Sequence, residues 1–377
     1  MSSLELTRVR VTGAAGDGPT GWAADMEVSV PPAVAAALLA SDRKHVTDRA
    51  NVADRTATVD QLRRRAAFTP SPPGSSRLPF SYQAVPLWAR TLIGHAIGRM
   101  YRLRTPSWGA YPQWPLDLSA DFLADLLDLP ASPFAGEPAP VLLSHDIDTP
   151  EGLRNLVSLF LPIEEKVGAV SSNYIVPCAW TIDHALLEEV RDRGHEIGIH
   201  GYDHGNRTPF ATPDEMLRRL SAARPLIERY GIIGYRAPSL LRTVALVEAI
   251  GGMYRYDSSI PTSGGLFPVP NNGCATARPF RLGRTVEIPL TLPRDGSLLF
   301  LGHDPQETAA VWRACAERIA ASGGIVSLLT HCEDRFSGNR PMLDAYQRFL
   351  DFLADDVRFT FSTPALVLGR LLASEAS

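Results

Sequence analysis

From Val141 onward, short apolar runs alternate with stretches of helical periodicity, which is the pattern of repeating strand–helix units. The runs Val141–Ser144, Ala169–Val176, Glu196–Ile199, Ile233–Arg236, Val286–Leu290 and Val326–Leu329 predict strands. Between them, His184–Arg193, Pro213–Tyr230, Thr243–Ile250 and Gln306–Ser322 predict helices. Thr212 is expected to cap the Pro213 helix, with Pro213, Asp214 and Glu215 in its first turn, and Gly251-Gly252 stops the Thr243 helix. Upstream, Leu4–Val11 and Met26–Val30 alternate as short strands do, and Pro31–Ala40 reads as a short helix. Residues 41–65 are polar and rich in arginine; Thr69–Pro79 and Ala131–Pro140 are Pro/Gly-containing joints. The pattern therefore predicts an accessory or lid region over residues 1–135 and an α/β domain over residues 136–377.

Two upstream stretches stand out. Val85–Arg104 has helical periodicity, and from Arg77 to Arg104 there are five arginines and no acid. Such a helix can lie on a membrane or face an anionic substrate, but packing on the main domain with its arginines in water is the plainer expectation. Trp108–Trp114 is rich in aromatics and proline, with rings suited either to stacking on a sugar or to anchoring a core.

Composition narrows the class. A chain of 377 residues with 45% hydrophobic and 21% charged residues is long enough for a large core and ordinary for a globular protein. A net charge of −4 argues against a nucleic-acid surface. The four cysteines, Cys178, Cys274, Cys315 and Cys332, show no C-x-x-C spacing, so free thiols are expected. The N-terminus lacks the basic and apolar segments of a secretory signal, and no window approaches a membrane span, so the expected location is the cytoplasm.

The chemistry gathers at the ends of the predicted strands. V-L-L-S-H-D-I-D-T-P-E, over Val141–Glu151, is an apolar run ending in Asp146 and Asp148. Like charges so close raise each other's pKa unless a cation or a hydrogen-bond network compensates, and a metal ion is the economical compensator. Two solvated acids opening a helix are the plainer alternative. His200 and His204 in H-G-Y-D-H follow another run, Arg236 ends a third and His331 follows a fourth. In a βα barrel those ends share one face, where active sites are built. Two imidazoles and a carboxylate make a catalytic zinc set with an open position, so Asp148, His200 and His204 form the candidate metal triad. Zinc leads, with cobalt or another transition metal as alternatives. Asp146 is then free to act as a general base, His331 as the acid that protonates a leaving nitrogen, and Arg236 as the ion partner of Asp146. Taken singly, His331 reads as a structural histidine and Arg236 as a surface salt bridge.

The order of these motifs resembles the polysaccharide deacetylase family, the carbohydrate esterase family 4 or NodB-homology enzymes. H-D-I-D looks like its first motif in a variant with separated aspartates, H-G-Y-D-H its second, R-A-P its third, Y-D-S-S-I-P its fourth and L-T-H its fifth. The resemblance covers roughly Val141 to Arg370 and implies a distorted (β/α)7 NodB-type barrel with an N-terminal accessory region. It implies a divalent metal held by Asp148, His200 and His204, Asp146 as base, Arg236 orienting it, and His331 as acid with Asp257 near it. Three departures are visible: Ile147 separates the two aspartates, Ser239 replaces an aromatic after Pro238, and Ile260 replaces a tryptophan before Pro261.

The expected activity is metal-dependent removal of an N-acetyl group from an amino sugar. The substrate is expected to be a small glycoside or other small molecule or oligosaccharide, with no nucleic-acid partner and no transmembrane segment. A C–N hydrolase of the same fold acting on a cyclic imide, ureide or other amide is the alternative. A non-catalytic carbohydrate-binding protein is the third, and it predicts decay of reactive positions, none of which is missing.

Overall fold

The computed structural model of the chain describes residues 7–12, 25–30, 52–65, 67–69, 71–77, 85–103, 114–126, 129–264, 267–268 and 273–376. The expected helix Pro31–Ala40 and all of Trp108–Trp114 except Trp114 lie outside them. Strands β1 (Thr7–Thr12) and β2 (Asp25–Val30) pair antiparallel, where alternation placed two strands. Helices α1 (Val52–Arg65), α2 (Leu87–Arg102) and α3 (Ser119–Leu126) follow. The first of these falls in the polar stretch for which no element was predicted.

The main sheet opens with β3 (Ala139–Ile147), whose nine residues are all buried. Then come α4 (Pro150–Asn155), a π-helical turn at Leu156–Phe160, α5 (Leu161–Lys166), β4 (Ser171–Ile175), α6 (His184–Asp192) and β5 (Glu196–His200). The predicted Pro213–Tyr230 helix is two helices, α7 (Pro213–Ser221) and α8 (Arg224–Tyr230). Pro225 lies in the first turn of α8, where its missing N–H costs nothing, and it has no amide with which to continue α7. Thr212 precedes α7 in an extended conformation, but its hydroxyl makes no capping bond.

Strand β6 (Gly234–Arg236) leads to α9 (Val244–Ile250), capped by Thr243, which accepts from the Leu246 amide at 3.2 Å. Next are β7 (Tyr256–Asp257), the hairpin of β8 (Phe280–Leu282) and β9 (Thr285–Glu287), and α10 (Asp295–Leu301). The chain ends with α11 (Pro305–Ala321), β10 (Val326–His331), α12 (Arg340–Asp355), β11 (Phe359–Phe361) and α13 (Pro364–Ala376).

Among the described residues the strand order is β10-β3-β4-β5-β6-β7-β9-β8, with β11 also beside β3. Every neighbouring pair except the β8–β9 hairpin is parallel. The two ends of the parallel run then meet. The Thr291 and Leu292 amides, on the chain leaving β9, donate to the Ser327 carbonyl of β10 at 3.2 and 3.0 Å. The Thr291 hydroxyl accepts from the Ser327 amide at 2.7 Å and donates to the Ile325 carbonyl at 2.9 Å. The result is a distorted barrel of parallel strands with one irregular seam. The largest of four core clusters among the described residues joins the strands to the surrounding helices, and Val59 and Leu62 of α1 and Phe122 and Leu123 of α3 belong to it. No described helix is long and apolar enough to cross a membrane.

Candidate metal centre

Strand alternation places Ser144 and Asp146 of β3 toward the barrel axis, while Leu143, His145 and Ile147 face the helices. Asp148 follows one residue beyond the strand, so the separation by Ile147 puts both carboxylates on the same side. Outward, the His145 imidazole meets Glu164 at 2.7 Å and Thr330 at 2.8 Å, and Tyr346 donates to the same carboxylate at 2.7 Å. This buried polar network ties the outer face of β3 to α5, β10 and α12.

Asp148, His200 and His204 each offer a ligand atom, and these atoms all lie within 4.8 Å of one another. Asp148 Oδ1 is 3.3 Å from His204 Nε2 and 3.7 Å from His200 Nε2. His200 Nδ1 lies 3.1 Å from the Arg236 carbonyl. A carbonyl only accepts, so Nδ1 carries a proton and Nε2 is the ring nitrogen that faces the carboxylates. His204 and Gly201 both have left-handed φ, 55° and 66°. At Gly201 a Cβ would also sit 2.4 Å from the Pro238 ring, so only glycine suits this turn.

The protonation states suit a divalent ion. Burial opposes the charge on Asp148, but His204, His200 and His331 outweigh it and bring its pKa down to about 2. Burial drives His204 down to about 4 despite Asp148. At neutral pH the set is thus a carboxylate with a neutral imidazole beside it, as metal ligands must be. Asp148 Oδ1 is moreover buried without a hydrogen-bond partner, an orphaned acceptor that a cation would satisfy. The donor set fits zinc or a similar transition metal.

Arg236 is not at the surface: it is 1% exposed. Its Nη1 donates to Asp146 Oδ1 and to Ser144 Oγ, each at 3.0 Å. Its Nε and Nη2 bond Ser258 at 2.8 and 3.0 Å, and the guanidinium lies 3.9 Å from the Tyr174 ring centroid. The other oxygen of Asp146 is 3.4 Å from His200 Nε2, so this carboxylate spans from the guanidinium to the imidazoles.

His331 is in register with Asp146 across β10 and β3. Its carboxylate partner is Asp295 rather than Asp257. Asp295 Oδ1 is 2.8 Å from His331 Nδ1, and Oδ2 accepts from the His331 amide at 2.7 Å and from Ser337 at 2.8 Å. Burial disfavours charge on His331, but Asp295 overcomes it and pushes the pKa up to about 9. Asp257 instead accepts from Ser259 and pairs with Glu287, whose Oε1 accepts from the Ser259 and Ile260 amides. Burial pushes the Asp257 pKa up to about 6 and that of Glu287 well above the usual range, so the pair shares protons on β7 and β9. A further carboxyl was not anticipated: Glu333, 2% exposed, accepts from Thr149 at 2.8 Å, and burial together with Asp148 raises its pKa to about 7. The only local hint of Asp295 and Glu333 is that each follows a predicted strand within a few residues, in L-P-R-D-G and H-C-E-D-R.

Beside this centre is a small crevice of about 20 Å³ lined by Leu240, Pro261, Leu290, Leu292, Arg294 and Ser297 among others. Arg294 and Ser297 flank Asp295 along the chain, which brings the crevice to the His331 side. Ile260 is fully buried, and Ser239 has a left-handed φ of 52°.

No family model and no curated protein matches this chain. Among solved structures it is similar to a Mycobacterium smegmatis protein described as a polysaccharide deacetylase, at a TM-score of 0.52 and 18% identity, over 64% of this chain and 92% of that one. It is also similar to the Puue allantoinase, at a TM-score of 0.51 and 16% identity, over 70% of this chain and 99% of that one. At such identities the likeness is one of fold, and the fold is the NodB-type barrel that the motifs imply.

Proposed function

We propose that this chain is a divergent polysaccharide-deacetylase relative, a metal-dependent hydrolase that removes an N-acetyl group from an amino sugar. The observation that carries the reading is the convergence of three potential ligands between an arginine-paired aspartate and an aspartate-paired histidine. Asp148, His200 and His204 would hold the ion, zinc first among candidates. When bound, it supplies Lewis acidity that polarises the acyl oxygen and acidifies water.

The remaining work falls to this chain's own side chains. Asp146 takes a proton from the attacking water, and Arg236 holds and aims its carboxylate. His331 stays protonated at neutral pH and gives its Nε2 proton to the departing nitrogen, while Asp295 holds Nδ1. The test is acetate release from a panel of N-acetylated sugars, lost on chelation and restored by zinc or cobalt. No release from any of them, with metal loaded, would overturn the assignment.

A second reading has one observation in its favour. Among the described residues the crevice is lined by proline, leucine, short polar residues and Arg294, without an aromatic platform for a sugar ring. That suits a compact cyclic imide or ureide, and ring opening of such amides in the same panel separates the two readings.

A further inference from the structure

Helix α2 turns outward the side that a packed helix ordinarily buries. Its contact side is glycine: a Cβ on Gly98 would meet the Phe300 carbonyl and one on Gly94 the Phe300 ring, both at clashing distance. Tyr101 stacks on Phe267 from the same side, with centroids 4.9 Å apart. On the opposite side Trp88, Leu92, Ile93, Met100 and Leu103 are 72, 64, 54, 45 and 82% exposed. At about 100° per residue these positions form one broad face. Arg99 is exposed within this face, between Trp88 and Leu92 around the helix axis, and Arg102 at its border. A soluble helix carries polar residues outward, whereas a helix lying in a lipid interface carries tryptophan and aliphatics toward the acyl chains with cations beside them.

We infer that this face of α2 lies on the surface of an anionic lipid bilayer. Charge selects that occupant. The segment from Arg77 to Arg104 holds five arginines and no acid, which complements anionic headgroups. A second copy seated on the same face about a two-fold axis would bring those arginines together with no carboxylate from either segment to offset them. The docked helix is joined to the reacting end of the barrel. Gly98 abuts Phe300 of α10, the Phe300 ring meets Phe336 edge-on at 6.2 Å, and Phe336 packs on His331 at 4.8 Å. If the proposed deacetylation is also correct, the amide it cleaves is presented at a lipid surface.

The test is flotation of the full chain with phosphatidylcholine–phosphatidylglycerol vesicles and with pure phosphatidylcholine vesicles, at low and high salt. The expected result is flotation with the anionic vesicles alone, weakened by salt. Leu92→Glu should lower vesicle partitioning about tenfold or more with an unchanged melting temperature, since the side chain is in solvent. Arg99→Gln with Arg102→Gln should lower it by a similar factor. Absence of flotation, or equal flotation with neutral vesicles, overturns the inference. So does a lipid-free dimer in sedimentation velocity that Leu92→Glu dissociates, which would assign the face to a second copy. Neither readout depends on enzymatic activity, so failure of the proposed reaction leaves this result standing.

Discussion

The Arg236 guanidinium donates through one nitrogen to both Asp146 and Ser144, two residues apart on β3 and each 3.0 Å away. That contact gives a carboxylate only 2% exposed a hydrogen-bonded cationic partner inside the barrel. Asp146→Asn keeps an oxygen acceptor for Arg236 and removes the proposed base. Turnover should fall by about 10²–10⁴ while zinc content stays at wild-type level, measured by steady-state kinetics and elemental analysis. Unchanged turnover would remove Asp146 from the mechanism.

Removing Arg236 is a different experiment, because it leaves Asp146 buried without its cation. Arg236→Met should destabilise the fold by about 3–5 kcal/mol in urea denaturation. A loss below about 1 kcal/mol would mean that the pair is solvated after all.

Asp295 sets the alkaline limit of the proposed reaction. The acid form of His331 is required, and Asp295 raises its pKa to about 9 against the opposing effect of burial. In Asp295→Asn that support is gone, so the alkaline limb of kcat/KM should move to lower pH while the acid limb stays in place. A pH–rate profile that keeps its alkaline limb would show that another group supplies the proton.

The Asp257–Glu287 pair makes a prediction about stability rather than activity. Both carboxyls are raised by burial, Asp257 to about 6 and Glu287 further, so the folded state keeps protons that the unfolded chain releases near its ordinary carboxylate pKa. The sign is therefore opposite to that of a salt-bridged acid. Stability from this pair is complete below about pH 4 and falls as pH rises through the folded values, by about 1.4 kcal/mol per pH unit for each proton retained. Glu287→Gln keeps a neutral donor toward Asp257, so its urea midpoint should fall less between pH 5 and pH 7 than that of the wild type. Parallel curves would refute proton sharing.

Ion binding can be read without any substrate. Zinc at about a hundredfold over its dissociation constant should stabilise the wild type by about 2.7 kcal/mol. His204→Ala should abolish most of that gain in a thermal melt, and Trp88→Phe, on the far side of α2, should not.

The strand–helix rhythm and all three proposed ligands were legible because they depend on short-range rules. Apolar runs mark strands, and D-x-D on a strand aims both acids the same way because side chains alternate with a period of two. What escaped was tertiary. Asp295 reaches His331 from the first turn of α10, 36 positions earlier, and nothing in L-P-R-D-G marks it as more than a helix-opening aspartate. Asp257 had the right type in the right motif, yet β7 directs it to Glu287 on the neighbouring strand. Strand β7 is two residues long, too short to show alternation, and α1 is assembled from polar residues whose helicity rests on a few contacts such as Val59 and Leu62.

The first barrel strand, β3, lies between β4 and β10, and its partner β10 follows it by some 185 positions along the chain. Local pairing can build one flank early, but the other flank waits for nearly the whole polypeptide to emerge. Loop closure of that span is slow. Nascent chains on the ribosome would therefore carry an unprotected β3 edge until His331 has been synthesised. The proposed proton donor and the ring it seals arrive together, so no shorter translation product would possess either.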